Sequence, residues 1–202
     1  MKKIGAFLPI IFLLFLSACQ YINPYIDMAE EKGISNAYLM ELQKWTRSQI
    51  VYSQFETRVH ISATYKSPSF NKAYLDEYGR LYEPSSEQRQ QKESAQSVLA
   101  SEFTEFFIYA YIPDMDSNDI DKPTSIWSVY LVDGKGQRIN PIDIRRFKKI
   151  TPVMEAFFPY LNPYYGVLYS IKFPPLAGVD TNGPVHFKLY FQSVLGKVEL
   201  NW

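Results

Sequence analysis

The two histidines of the chain are the first candidates for acid–base or metal chemistry. In residues 55–66 the apolar side chains stand at odd positions, so we expect His60 to face solvent on the other side. The same alternation in residues 185–191 predicts that His186 also faces solvent. Two such histidines on separate strands are not expected to meet. Because the sequence also has no Gly-x-Ser-x-Gly elbow and no phosphate-binding glycine loop, we predict a non-catalytic protein, with an unrecognised hydrolase as the alternative.

An acidic segment offers the oxygen ligands that calcium prefers. Asp114, Asp116 and Asn118 stand at alternate positions, as at the opening of a calcium-binding loop. The segment departs from the EF-hand pattern because Asp119 stands where a sharp turn needs glycine, and no glutamate follows at the expected place. We therefore predict a solvated turn whose side chains bond nearby backbone. Calcium binding is the alternative, and no other cofactor is expected.

A basic cluster followed by an aromatic stretch is the best candidate for a binding surface. Residues 157–166 hold five aromatic side chains and two prolines, a composition suited to binding protein, glycan or lipid. The competing interpretation is a buried corner in which the rings fill space and the tyrosine hydroxyls bond backbone. The basic residues also have a default interpretation, a solvated charged face. The candidate binding residues are Arg145, Arg146, Lys148, Lys149, Tyr160, Tyr164 and Tyr165.

The first nineteen residues have the layout of an export signal. Lys2 and Lys3 precede an apolar run from Ile4 to Leu16, and the segment ends in Leu16-Ser17-Ala18-Cys19. This ending resembles the lipobox of bacterial lipoproteins. The resemblance implies a diacylglyceryl group on Cys19, cleavage just before Cys19, and usually acylation of the new amino terminus.

Two other interpretations of this leader are a transmembrane helix and a secretory signal without lipid. The apolar run spans roughly 20 Å as a helix, which is short of a hydrocarbon core of roughly 30 Å, and Pro9 weakens a continuous helix. Cys19 is the only cysteine, so lipidation accounts for a thiol that has no disulfide partner. We therefore expect the chain to reach the membrane through lipidated Cys19.

The resemblance also predicts where the protein is anchored. Gln20, rather than aspartate, follows the cysteine, and this resembles an outer-membrane sorting signal of double-membraned bacteria. We expect a cell-envelope protein anchored in the outer membrane and facing the periplasm. Its predicted parts are a cleaved signal over residues 1–18, a tether over 19–33 and a single domain over 34–202.

Composition narrows the classes of partner. Lys2 and Lys3 are the only charged residues of the leader, so its removal changes the formal net charge from zero to −2. A nearly neutral chain without a basic stripe does not indicate nucleic-acid binding. We expect an envelope protein as the partner.

The periodicity of the chain predicts helices first and strands later. Apolar residues from Ile34 to Trp45 fall on one helix face, and so do those from Phe70 to Tyr82. The polar stretch 84–101 indicates an exposed helix, with a flexible insert as the alternative. Strands are predicted over 55–66, 106–112, 126–132, 137–144, 167–173, 185–191 and 197–202, with one or two helical turns over 151–158.

Short strands separated by glycine, proline and aspartate turns indicate an antiparallel β-sandwich, immunoglobulin-like or transthyretin-like. The predicted helices pack on it or are inserted near its N-terminal half. Together with the leader, this architecture predicts an anchored accessory protein that binds or supports an envelope partner. The alternative is a glycan- or lipid-binding module that uses the aromatic residues of 157–165.

Overall fold

The computed structural model describes residues 33–176 and 186–202. Its α-helices are α1 (Asn36–Trp45), α2 (Pro68–Tyr82), α3 (Ser86–Glu102) and α4 (Pro152–Phe157). Its strands are β1 (Thr46–Ser53), β2 (Glu56–Tyr65), β3 (Thr104–Tyr111), β4 (Ser128–Val132), β5 (Arg138–Ile139), β6 (Asp143–Arg146), β7 (Val167–Phe173), β8 (Lys188–Ser193) and β9 (Gly196–Asn201). The predicted signal peptide, Cys19 and most of the tether lie outside the described residues.

The strands form two antiparallel sheets, so the predicted mainly-β sandwich is confirmed. One sheet has the order β1-β2-β3-β7-β6 and the other has the order β5-β4-β8-β9. The main core lies between the sheets, because the apolar side chains of β2, β3 and β7 meet those of β4, β8 and β9 there. Burial of this apolar surface is the main stabilising contribution to the sandwich.

A second core lies on the opposite face of the five-stranded sheet. Tyr109 and Leu168 of the sheet pack there against apolar residues of α1, α2 and α4. The helices therefore form a third layer over this sheet, as the prediction of helices packed on the sandwich requires. Among the described residues, no helix is both long and apolar enough to cross a membrane.

One strand of the structure was not predicted, and one strand prediction is wrong. β1 has no predicted counterpart, because it is an edge strand of largely half-exposed and exposed residues and so lacks an apolar alternation. The predicted strand 137–144 is two short strands in different sheets, β5 and β6. Pro141 lies between them, where a residue without a backbone N–H cannot continue a ladder.

The exposed helix predicted over 84–101 is confirmed as α3. Ser85 caps its N-terminus in a capping box with Gln88, which satisfies two otherwise unpaired backbone N–H groups. None of the residues of α3 is buried. The helix is therefore held by local hydrogen bonds and by its contacts with α2.

A buried carboxylate fastens the start of the domain to α2. Ser35 caps α1, and Glu77 accepts hydrogen bonds from the Ser35 N–H at 2.8 Å and from the Ser35 hydroxyl at 2.6 Å. Arg80 donates both to Glu77 and to the carbonyl oxygen of Gly33. Burial alone disfavours the charged form, but the hydrogen bonds from Arg80 and Ser35 outweigh it and hold the pKa of Glu77 below its usual value.

Several connections meet at one end of the sandwich, which we call the far end. The β1–β2 turn at residues 54–55 lies there, β3 and β6 end there, and β7 begins there. The β8–β9 turn lies at the same end, because Gly196 closely approaches the side chain of Val51. The junction of α1 with β1 lies at the opposite end.

Candidate interaction surface at the far end

The basic cluster is divided by the alternation of β6. Arg145 pairs with Ser170 and Arg146 pairs with Tyr169. Successive residues of a strand point to opposite faces of the sheet, so Arg145 lies on the helix side and Arg146 on the sandwich side. The Arg145 guanidinium lies 5.1 Å from the ring centre of Phe147. The two arginines therefore do not form a single patch.

Lys148 and Lys149 continue the chain beyond the end of β6. Both are exposed, and the preceding Phe147 is held by a hydrogen bond of 2.9 Å from its backbone N–H to the carbonyl oxygen of Leu168. Because Leu168 is the second residue of β7, the two lysines lie at the far end, near the loop that precedes β7. This loop contains Tyr164 and Tyr165.

The aromatic stretch divides into a buried part and an exposed part. Phe157, Phe158 and Leu161 are buried in the helix-side core. Tyr160 is directed inwards, since its hydroxyl lies 2.7 Å from the Thr64 hydroxyl and burial raises its pKa. The structure thus separates Tyr160 from the two other candidate tyrosines.

Tyr164 and Tyr165 stand in solvent with 87% and 62% of their surface exposed. The loop that carries them is nevertheless held in place. The Tyr164 N–H donates to the Asn162 side chain at 2.9 Å, and the Tyr109 hydroxyl donates to the Asn162 carbonyl at 3.1 Å. Two exposed rings on a held loop keep the candidate surface open to a partner and reduce the conformational entropy that binding removes.

His60 corrects the prediction of two solvent-facing histidines. It lies on the face of β2 that the helices cover, where its neighbours Ser62 and Thr64 are buried, and it is itself half-buried. Its Nε2 lies 2.7 Å from the Ser48 hydroxyl, and burial lowers its pKa. His186 is exposed, as predicted.

Asn118 is directed into the main core and away from the two aspartates of the candidate calcium loop. Its Nδ2 donates to the Ala110 carbonyl at 3.0 Å, and its Oδ1 accepts from the Tyr169 hydroxyl at 3.0 Å. Asp114 accepts a hydrogen bond of 2.6 Å from the Ser117 hydroxyl. In the two described ranges, no group of three or more histidine, cysteine or acidic side chains converges as a metal site would require.

An open groove between α2 and α3, with a volume of about 560 Å³, contains charged side chains. Arg89 lies 2.8 Å from both Asp76 and Glu93, and Lys72 lies 2.6 Å from Asp76. These groups neutralise each other across the groove. The arrangement is that of a surface ion-pair network between two helices.

Sequence reasoning missed two exposed aromatic residues at the far end, Tyr52 near the end of β1 and Phe55. Phe55 is assigned by the alternation to the apolar side of the strand, but the structure places it in the β1–β2 turn, fully exposed. The missing signal is a turn motif, because Gln54-Phe55 has neither the asparagine nor the glycine that marks such turns.

Comparisons with protein-family models, with curated proteins and with solved structures found no match for this chain.

Proposed function

We propose that this protein is a lipid-anchored, non-catalytic accessory module of the bacterial cell envelope. Its mature chain would begin at lipidated Cys19, in the outer membrane, and its sandwich would bind an envelope protein in the periplasm. The observation that carries the proposal is the leader, in which the only cysteine of the chain ends a lipobox-type sequence.

The candidate binding surface consists of Lys148, Lys149, Tyr164 and Tyr165. All four side chains are exposed at the far end, and the loop of the tyrosines is held by Asn162 and Tyr109. Tyrosines supply large contact area with few rotatable bonds, and lysines at the rim steer association. This combination favours a protein partner with an acidic rim.

The mass of the mature N-terminal peptide tests the anchor. We expect a peptide that begins at Cys19 and carries diacylglyceryl and acyl groups. A Cys19→Ser chain should be neither cleaved nor lipidated. An unmodified Cys19 thiol would refute the anchor. The matched variant Gln20→Asp should keep the lipid but move the protein to the inner membrane of a double-membraned host.

Crosslinking in intact cells tests the partner surface. A variant with Lys148→Glu, Lys149→Glu, Tyr164→Ala and Tyr165→Ala should lose the crosslinked envelope protein while it keeps its melting temperature. The matched control, Lys135→Glu with Tyr82→Ala, changes exposed residues elsewhere and should keep the partner. Equal crosslinking of both variants would exclude this surface.

The exposure of Tyr164 and Tyr165 also favours the second candidate function, a glycan- or lipid-binding module. Exposed aromatic rings offer a large contact area to a glycan or lipid as well as to a protein. Two results together would favour this candidate. No protein crosslink would form, and the unaltered chain would bind a glycan array that the Tyr164→Ala, Tyr165→Ala variant no longer binds.

A further inference from the structure

The β1–β2 turn exposes an aromatic ring at the cost of an unfavourable backbone. Gln54 and Phe55 have φ values of 50° and 69°, so both central residues adopt the left-handed conformation of a type I′ turn. A residue with a β-carbon is disfavoured there. Phe55 is nevertheless fully exposed, so packing within the described fold does not compensate for this conformation.

A second turn places further apolar side chains at the same corner. A β-carbon added to Gly196 would lie 2.8 Å from Cγ1 of Val51, which brings the β8–β9 turn beside the end of β1. Val194 in that turn is 91% exposed, and Tyr52 at the end of β1 is 62% exposed. Tyr52, Phe55 and Val194 form what we call the apolar corner.

The shape of the apolar corner favours a fluid partner. Phe55 and Val194 project from two tight turns, and Tyr52 projects from near the end of β1, so the three side chains form a small protruding tip. The interfacial layer of a bilayer accepts protruding rings, and tyrosine and phenylalanine suit it because of their apolar bodies. The exposed charges beside the two turns have both signs, since Glu56 follows Phe55 and Lys197 lies 3.6 Å from Glu199, so they add little attraction to anionic lipid.

The tether predicted by the sequence keeps a bilayer within reach. This step rests on the proposed function, because it requires lipidated Cys19. An extended chain gains at most about 3.6 Å per residue, so the thirteen residues 20–32 can span at most about 47 Å. Within that distance the effective concentration of lipid is high, and a weak contact through a few side chains is sufficient.

We propose that the apolar corner inserts into the interfacial layer of the membrane in which Cys19 is anchored. Asp114 and Asp116 are exposed in the acidic loop at the same end, so the contact depends on apolar insertion more than on attraction to anionic lipid. Insertion would orient the far end, with Tyr164 and Tyr165, towards the membrane surface.

Site-specific photocrosslinking of the full-length chain in bacterial cells tests this proposal. A photoreactive phenylalanine analogue is placed at position 55, and the matched control carries it at position 142. Ile142 is 55% exposed and precedes β6, so it lies at the opposite end of the sandwich. Position 55 should give phospholipid adducts, identified by mass, in several-fold higher yield than position 142.

Equal lipid adducts at the two positions, or protein adducts alone at position 55, would overturn the proposal. The N-terminal peptide from the same preparation reports the anchor separately. A lipidated Cys19 without lipid adducts at position 55 means that the anchor stands and the corner proposal fails. Lipid adducts at position 55 in a chain whose Cys19 is unmodified mean that the corner binds membrane and the anchor proposal fails.

Discussion

Substitution of Gly166 by alanine should destabilise the protein, because the added β-carbon would collide with the Tyr109 ring. A β-carbon at position 166 would lie 2.3 Å from Cε2 and Cζ of that ring, far inside the normal carbon–carbon contact of about 3.5–4.0 Å. The ring is 4% exposed and packed in the helix-side core. Either the ring or the loop that carries Tyr164 must therefore move by more than about 1 Å.

The expected loss follows from two contributions. Overpacking of a filled core costs about 1–3 kcal/mol. Displacement of the ring also breaks the 3.1 Å hydrogen bond from the Tyr109 hydroxyl to the Asn162 carbonyl, which contributes about 0.5–1.5 kcal/mol. The free energy of unfolding should fall by about 2–4 kcal/mol, and the melting temperature by between about 4 and 16 °C.

Thermal and urea unfolding, monitored by circular dichroism, measure this loss. The matched control is Gly79→Ala, because the added β-carbon at that position of α2 meets only the Arg89 side chain, at 3.5 Å. Alanine is favoured over glycine in a helix by about 1 kcal/mol. The same substitution should therefore raise the melting temperature at position 79 and lower it at position 166.

A double-mutant cycle decides whether the Tyr109 ring is the cause. In a Tyr109→Ala background the colliding atoms are absent, so Gly166→Ala should cost less than about 0.5 kcal/mol. If the substitution costs the same with and without the ring, the reasoning from the close approach is wrong.

Three further predictions concern Glu77, the β1–β2 turn and the aromatic stretch 157–165. Glu77→Gln should lower the free energy of unfolding by about 1–3 kcal/mol at neutral pH. Because the folded-state pKa of Glu77 is lowered, this difference from the unaltered chain should shrink as the pH falls through that pKa. Urea unfolding at several pH values measures it, and a pH-independent difference would contradict the reasoning. Phe55→Gly should raise the melting temperature, since glycine relieves about 1–2 kcal/mol of left-handed strain; a decrease would show that the ring packs on the fold. Phe158→Ala should cost about 3–5 kcal/mol, whereas Tyr164→Ala should change stability by less than about 0.5 kcal/mol, and similar losses from both in calorimetry would contradict the division of this stretch.

The local pattern of the sequence was sufficient for most of the secondary structure. The apolar spacing of 34–45 and 70–82 predicted α1 and α2, and the alternation over 55–66 predicted β2 to within a residue. These features are determined by neighbours in the chain, because a helix buries one stripe and a half-buried strand buries alternate residues. The turn between β4 and β5 likewise contains Asp133-Gly134, a dipeptide typical of tight hairpin turns.

The sequence could not show what covers each face of an element. Alternation separates His60 from Val59 and Ile61, but only the tertiary structure shows that His60 is half-buried, with its Nε2 2.7 Å from the Ser48 hydroxyl. Likewise, the aromatic composition of 157–165 could not separate the inward Tyr160 from the exposed Tyr164. That separation depends on Thr64 and Tyr109, which are distant in the chain.

The leader and the far end also differ in how much the local sequence can specify. The proposed signal would be recognised before the chain folds, so the anchoring hypothesis needs only the order of residues up to Cys19. The apolar corner combines Phe55 with Val194, and the approach of Gly196 to Val51 brings their two turns together. Local sequence cannot specify such a contact, because it arises only when strands of the two sheets pack side by side.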